Sequence, residues 1–174
     1  MNQGAATSHQ PEILQTFIKK ILLHLDDNET KNLQQFLSYF NNTNCKIIFN
    51  GAPFAQPMIF LQMWQEQFVQ TQHALTSLDY QIIPGSGTMI LNINSKVRFD
   101  ESGRDRLGQD ALIKDGSNRG GLNNNTRPIF GSYFGVSLQL VIDDRIFRND
   151  FNGVISCFNY NMLYKPEDSL IKIH

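Results

Sequence analysis

Hydrophobic and polar positions alternate with period two along three stretches of the chain, the spacing of side chains on a β-strand. In Ile129–Asp143, Phe134, Val136, Leu138, Leu140 and Ile142 fall on one face, and Gly135, Ser137, Gln139 and Val141 on the other. In Gly153–Tyr164, one face reads Val154, Ser156, Phe158, Tyr160, Met162 and Tyr164; the other reads Ile155, Cys157, Asn159, Asn161 and Leu163. Thr88–Phe99 points Met89, Leu91, Ile93, Val97 and Phe99 inward, with Ser95 as the exception, and turns Ile90, Asn92, Asn94, Lys96 and Arg98 outward. The first set of faces can form a core. The second is small and amide-rich, unlike a solvated sheet face lined with Lys and Glu. It is either a mild polar surface or one that something other than bulk water covers.

Helical periodicity dominates the first half. Ile13, Leu14, Phe17, Ile18, Ile21, Leu22 and Leu25 follow the i, i+3, i+4, i+7 stripe after Pro11, which suits a first helical turn. Asp26-Asp-Asn28 ends that helix, and Glu29–Phe40 reads as a second, with Leu33, Phe36, Leu37 and Phe40 on one side. Asn41–Asn44 is turn chemistry, Cys45–Phe49 a short strand, and Asn50-Gly51 a strong turn signal. Pro57–Thr71 returns to helical spacing with Ile59, Phe60, Met63, Trp64 and Phe68, a set that reads as core packing. Gln72–Ile83 is a strand candidate closed by Pro84-Gly-Ser-Gly87. Between Asp100 and Arg127 the pattern breaks into Gly108, Gly116, Gly120, Gly121 and an Asn123-Asn-Asn125 run. A loop of this length is functional or disordered. The order predicts an α+β fold: a bent antiparallel sheet with helices on its apolar face. It further predicts a flexible tail over 1–10 and a single domain over 11–174 with an internal loop at about 101–127.

Composition narrows the function. The chain has 174 residues, 41% hydrophobic and 18% charged, with net charge −1. That balance argues against a surface wholly devoted to nucleic acid or anionic membrane. Cys45 and Cys157 lie far apart without metal-ligand spacing and read as two buried reduced thiols in a reducing compartment. No run of about 18 apolar residues is present. The expectation is a soluble intracellular protein with no cofactor, no metal and no membrane insertion.

Candidate chemistry is thin. Gly85-Ser-Gly87 sits between strands rather than before a helix, so it is no phosphate loop. His73 and Asp79 share a strand face but would lie roughly 20 Å apart, too far for an acid–base pair. A structurally bonded His at the start of a strand is the expectation. Asp100-Glu101, Asp143-Asp-Arg145 and Arg148-Asn-Asp150 read as turn and edge charges, with no converging set of oxygens for a hard cation. No residue argues for catalysis.

Three segments carry a specific resemblance. Asn50-Gly-Ala-Pro-Phe54, the helix after it, and Gln72-His-Ala-Leu-Thr-Ser-Leu-Asp-Tyr-Gln81 resemble the nuclear transport factor 2-like family. More narrowly, Phe60-Leu-Gln-Met-Trp-Gln65, Lys96-Val-Arg-Phe-Asp-Glu-Ser-Gly-Arg104 and Asp143–Ser156 are similar to its fungal branch of mRNA transport regulators, small subunits of a heterodimeric mRNA export receptor. The resemblance covers roughly residues 11–166 outside the long loop.

It implies a cone-like, strongly curved sheet wrapped over the helices, docking sheet to sheet on a second such domain. The implied partner interface is Asn92, Asn94, Lys96, Arg98, Gly135, Ser137, Gln139, Asn159, Asn161 and Leu163. The implied activity is non-enzymatic carriage of messenger ribonucleoprotein through nuclear pores, by contact with phenylalanine-glycine nucleoporins, between nucleus and cytoplasm. The loop is expected to assist export of large ribosomal subunits through RNA or pre-ribosome contacts, with Arg106, Lys114, Arg119 and Arg127 as its basic residues. Two rival readings exist. A homodimeric carrier of the small GTPase Ran is disfavoured because Ser102 stands where that carrier has an acid. An enzyme or binder using the mouth of the cone would need an inward acid–base pair, which the sequence does not reveal; His73 or Tyr80 would be its polar groups.

Overall fold

A computed structural model describes residues 9–27, 29–68, 70–101 and 130–169. Helix α1 spans Gln10–Asp26 and buries Leu14, Phe17, Ile18, Ile21, Leu22 and Leu25, the stripe read from spacing. The second helix is shorter than Glu29–Phe40: a 3-10 turn at Thr30–Asn32 leads into α2 at Leu33–Leu37. The Asp27 carboxylate accepts from the Glu29 amide at 2.8 Å and from Asn32 Nδ2 at 2.6 Å, fixing a turn where helix was expected. Beyond Leu37 the backbone is drawn to the sheet edge. Ile155 N–H donates to the Tyr39 carbonyl at 2.8 Å and Asn41 N–H to the Ile155 carbonyl at 2.9 Å.

Strands β1 (Lys46–Phe49) and β2 (Ala52–Phe54) form a short hairpin, and α3 covers Pro57–Gln67. Then come β3 (Thr71–Ile83), β4 (Thr88–Phe99), β5 (Phe134–Asp143), a 3-10 turn at Asp144–Arg148, and β6 (Ile155–Tyr164). They build one unclosed six-stranded sheet in the order β2-β1-β6-β5-β4-β3. Neighbours run antiparallel except β1 and β6, which are parallel. β2 is too short for its alternation to be visible in the sequence. On α3 the buried set is Phe60, Leu61 and Trp64, with Phe68 just beyond, whereas Ile59 is 46% exposed and does not join the core.

Three irregularities bend the sheet, as extra residues in one strand of a pair do. Register slips between Leu75 and Ser77 on β3, so Thr76 is extra. Opposite it, Ser95 is buried because its hydroxyl donates to the Ala74 carbonyl at 2.9 Å, which explains the one polar residue on the inward face of β4. The other two fall on β6. Ile142 pairs with Ile155 and Val141 with Cys157, leaving Ser156 extra; Gly135 pairs with Tyr164 and Val136 with Met162, leaving Leu163 extra. Strict alternation therefore misplaces both ends of this strand. Ile155 is in the core, and Tyr164 is 62% exposed rather than inward. The sheet's inward face and α1 to α3 enclose a continuous apolar core that includes Trp64, Phe99, Phe134, Phe158 and Tyr160.

At one margin of this core, His24 stacks on Phe36 with centroids 5.1 Å apart and meets the edge of Tyr39. Burial pushes its imidazole below the usual range, with Lys20 adding to that effect and Asp27 opposing it. A base held below its unfolded pKa binds fewer protons when folded, so its stabilising contribution is present above about pH 6.5 and lost as pH falls. Thermal unfolding across that range is expected to show a steeper acid loss in the wild type than in His24→Gln. Equal slopes would refute the assignment.

The ends of the long insertion are tied together. Asp100 and Phe130 form an antiparallel bridge, and Gly131 N–H donates to the Phe99 carbonyl at 3.0 Å. Ser169 Oγ donates to the Glu101 carboxylate at 2.9 Å and Ser132 Oγ to Asp168 at 3.0 Å, so the C-terminal turn closes over the same base. Replacing residues 103–128 by a short Gly-Ser turn is expected to leave the melting temperature within about 3 °C, since loop-closure entropy changes slowly with length. Calorimetry that found a larger fall would show the insertion itself contributing to the core.

Candidate functional site

The outward face of β3 to β6 is built in cross-strand rows. One runs Asp79, Asn92, Gln139, Asn159 and then Ile48 of β1; the next runs Ser77, Asn94, Ser137 and Asn161. A third runs Ala74, Lys96, Gly135 and Tyr164, and Gln72 stands opposite Arg98. Nine of the ten sequence-predicted interface residues thus lie in register on one continuous surface. Leu163 is the tenth. It is the extra residue of its bulge, 71% exposed, and Tyr164 rather than Leu163 stands opposite Gly135.

Amides on this face hold one another. Asn161 Nδ2 donates to Asn159 Oδ1 at 2.7 Å and Asn94 Nδ2 to Ser77 Oγ at 2.9 Å. Spare donors and acceptors still point outward, because each amide can make more bonds than these. Residues that the alternation did not single out also belong here. Gln72 Oε1 accepts from Arg98 Nε at 2.6 Å, and the rings of Tyr133 and Phe130 sit beside Lys96 and Arg98. Their signal in the sequence was two aromatics astride Gly131 with basic residues at alternate positions of a neighbouring strand. Sequence alone does not pair those segments.

Inside the cone the structure overturns one expectation. An inward acid–imidazole pair exists, though not with Asp79. Asp26, at the end of α1, takes His73 Nδ1 at 2.6 Å and the His73 backbone N–H at 2.8 Å, and Thr71 Oγ donates to it at 2.8 Å. A carboxylate only accepts, so His73 Nδ1 donates to Asp26, and Nε2 lies within hydrogen-bond distance of the Tyr160 hydroxyl, 2.8 Å away. Burial, with Asp26 close by, holds that phenol well above its ordinary pKa, so it keeps its proton. The His73 side chain is wholly buried, stacked on Trp64 at 5.9 Å between centroids. Trp64 in turn donates its Nε1–H to the Leu25 carbonyl at 3.0 Å. A relay of this kind could shuttle a proton only if a substrate reached its end, and its end is an enclosed tyrosine. It ties α1 to β3 and β6. Tyr80, the other polar group of the enzyme reading, packs half-buried against the core.

A surface groove between α1 and the 3-10 turn after β5, lined by Phe17, Lys20, Ile146, Phe147 and Phe151, touches neither His73 nor Tyr80. Among the described residues no three His, Cys, Asp or Glu side chains gather as a metal site requires, and no helix is long and apolar enough to cross a membrane. Arg145 bridges Asp143 and Asp150 at 3.3 and 3.2 Å, the turn charges expected there. Both cysteines are free and half-buried. Ser102 and the basic loop residues Arg106, Lys114, Arg119 and Arg127 lie outside the described residues.

Known proteins of similar sequence or shape sharpen this picture. The chain is 64% identical over 172 residues to the mRNA transport regulator MTR2 of Saccharomyces cerevisiae, covering 95% of this chain and 94% of that one. Its structure is similar to a crystal structure of the Candida albicans Mtr2–Mex67 M domain complex, with TM-score 0.73, 34% identity, and 92% and 98% of the two chains covered. An NTF2-like protein with a cystatin-like fold from Novosphingobium aromaticivorans, 10% identical, matches with TM-score 0.56 over 94% of this chain and 86% of that one, which speaks to the fold alone. The family described as nuclear pore RNA shuttling protein Mtr2 matches residues 8–173. An α+β cone of curved sheet over helices, carrying that sequence almost end to end, belongs to the Mtr2 family of nuclear-pore RNA shuttling proteins, within the NTF2-like fold.

Proposed function

We infer that this chain is a non-enzymatic mRNA export factor that heterodimerises, through the outward face of β3 to β6, with a large export-receptor subunit like Mex67. The observation that carries the reading is that face: rows of Asn, Gln and Ser in register, with Leu163 and Tyr164 exposed beside them. A solved relative 34% identical to it is described as a complex with the Mex67 M domain, which supports the choice of partner. Shape-matched amide rows can exchange hydrogen bonds with a facing sheet while excluding water, and a contact of this kind buries about 1,600 Å² or more.

In this reading the heterodimer carries messenger ribonucleoprotein through the nuclear pore by contacting phenylalanine-glycine nucleoporins, and shuttles between nucleus and cytoplasm. The chain acts as one domain, and its part is to cover and stabilise the partner's sheet. The insertion, with Arg106, Lys114, Arg119 and Arg127, serves as an accessory contact to RNA or pre-ribosomal particles during large-subunit export. Four cations make only a salt-sensitive contact. Co-expression with the large subunit's domain, followed by size-exclusion chromatography with light scattering, is expected to give a 1:1 complex. Elution of this chain as a lone monomer beside an excess of that domain would overturn the reading.

A further inference from the structure

One corner of the outward face, beside the base of the insertion, gathers two cations and two rings. Lys96 Nζ lies 4.5 Å from the centre of the Tyr133 ring. The Arg98 guanidinium carbon lies 4.7 Å from the centre of Phe130 and 5.2 Å from that of Tyr133. Gln72 fixes the Arg98 fork from the other side through its 2.6 Å bond to Nε. The rings set where the head groups stand, but an aromatic quadrupole carries no net charge, so the rings do not neutralise either cation. Among the described residues, no carboxylate forms an ion pair with either.

Beside them lies Gly135, cross-strand neighbour of Lys96 on one side and of Tyr164 on the other. A Cβ at that position would stand 3.3 Å from Tyr164 Cβ, tighter than ordinary contact. Gly135 thus lets the two strands approach closely, and the row has no side chain between Lys96 and Tyr164. Enclosing Lys96 and Arg98 under a facing sheet with nothing opposite would strip two cations of water without repayment. Two donors held at fixed positions suit a small planar anion.

We propose that Lys96 and Arg98, beside Gly135, bind a carboxylate side chain from the facing sheet of the partner subunit. This rests on the outward face being the heterodimer interface. Charge complementarity at this corner would set the register of the two sheets and select the partner, as interfacial ion pairs do.

The test uses full-length chain with the large subunit's domain, measuring Kd by calorimetry at low and high salt. Neutralising both cations (Lys96→Met with Arg98→Gln) is expected to weaken binding about tenfold at low salt and to flatten its salt dependence. Reversing both (Lys96→Glu with Arg98→Glu) is expected to weaken it more than about a hundredfold, with partial recovery when one acid of the partner's facing sheet is changed to Lys. Should the reversed chain fail to fold, the neutral pair carries the test. Gln139→Arg, two rows away from Lys96 along β5, separates the two ideas. If Gln139→Arg abolishes binding while both double variants bind like the wild type, the carboxylate proposal is wrong and the interface reading stands. If none of the three alters binding, the interface reading fails as well. Loss of RNA binding by the heterodimer at unchanged subunit Kd would overturn the proposal in favour of a nucleic-acid role for the two cations.

Discussion

Asp26→Ala is expected to destabilise the isolated chain by about 3–5 kcal/mol, the cost of removing one partner of a buried charge-assisted network. The reason is the number of donors that lose a carboxylate together: the His73 backbone N–H, the His73 ring and the Thr71 hydroxyl, which keeps only the Leu25 carbonyl. Neither side chain can turn to water, since Thr71 is 2% exposed and the His73 side chain not at all. Released from the carboxylate, His73 also loses the restraint that points Nε2 at Tyr160, and α1 loses its tie to β3 and β6. For a chain of this size the loss corresponds to a fall in melting temperature on the order of 10 °C. Asp79→Ala, on the exposed side of the same strand, is expected to change stability by less than about 0.5 kcal/mol. Urea unfolding of the two variants side by side decides the matter, and similar midpoints would show that the network does not hold the helix.

Binding, rather than folding, is where Gln139→Arg should act. Gln139 is solvent-exposed, in the middle of the row that joins Asn92 to Asn159, so the free chain can carry an arginine there without strain. Docked against a facing sheet, the new guanidinium would be desolvated among amides with no carboxylate in its row nearer than Asp79, two strands away. An unpaired charge enclosed in this way costs about 2 kcal/mol or more, a loss of affinity of roughly 30-fold or greater. Asn161→Glu, in the adjoining row, should behave alike with the opposite charge. Melting temperatures of the free variants should match the wild type while complex formation fails. Wild-type affinity in both would place the interface elsewhere.

The inward and outward faces of β4 and β5 were legible because alternation there is unbroken, and even the exception at Ser95 could be seen, although its reason could not. What alternation could not show was where it stops. Ser156 and Leu163 look like ordinary members of a period-two run, yet each is an extra residue, and so Ile155 and Tyr164 lie opposite to where counting puts them. The Asp26–His73 pair was hidden by distance along the chain: the two residues are 47 apart, whereas Asp79 sits close by in sequence and on the wrong face. The second helix was over-read because its apolar spacing continues through Phe40 after the backbone has already bonded to Ile155. Partner, cargo and compartment came from resemblance. No spacing of apolar residues encodes them.

The slip at Thr76 has a bearing on how the protein behaves at high concentration. Among the described residues β3 is the last strand of an open sheet, and its 13 residues make a long margin of backbone, held at His73 by its bond to Asp26. Unbroken, such a margin is a template on which a strand from another molecule can grow. The extra residue divides it into a stretch of five, Thr71–Leu75, and one of seven, Ser77–Ile83, whose hydrogen-bonding directions no longer run in phase. Asp79 adds a charge to the longer part. The irregularity that shapes the cone thereby also guards its open side against fibrous growth.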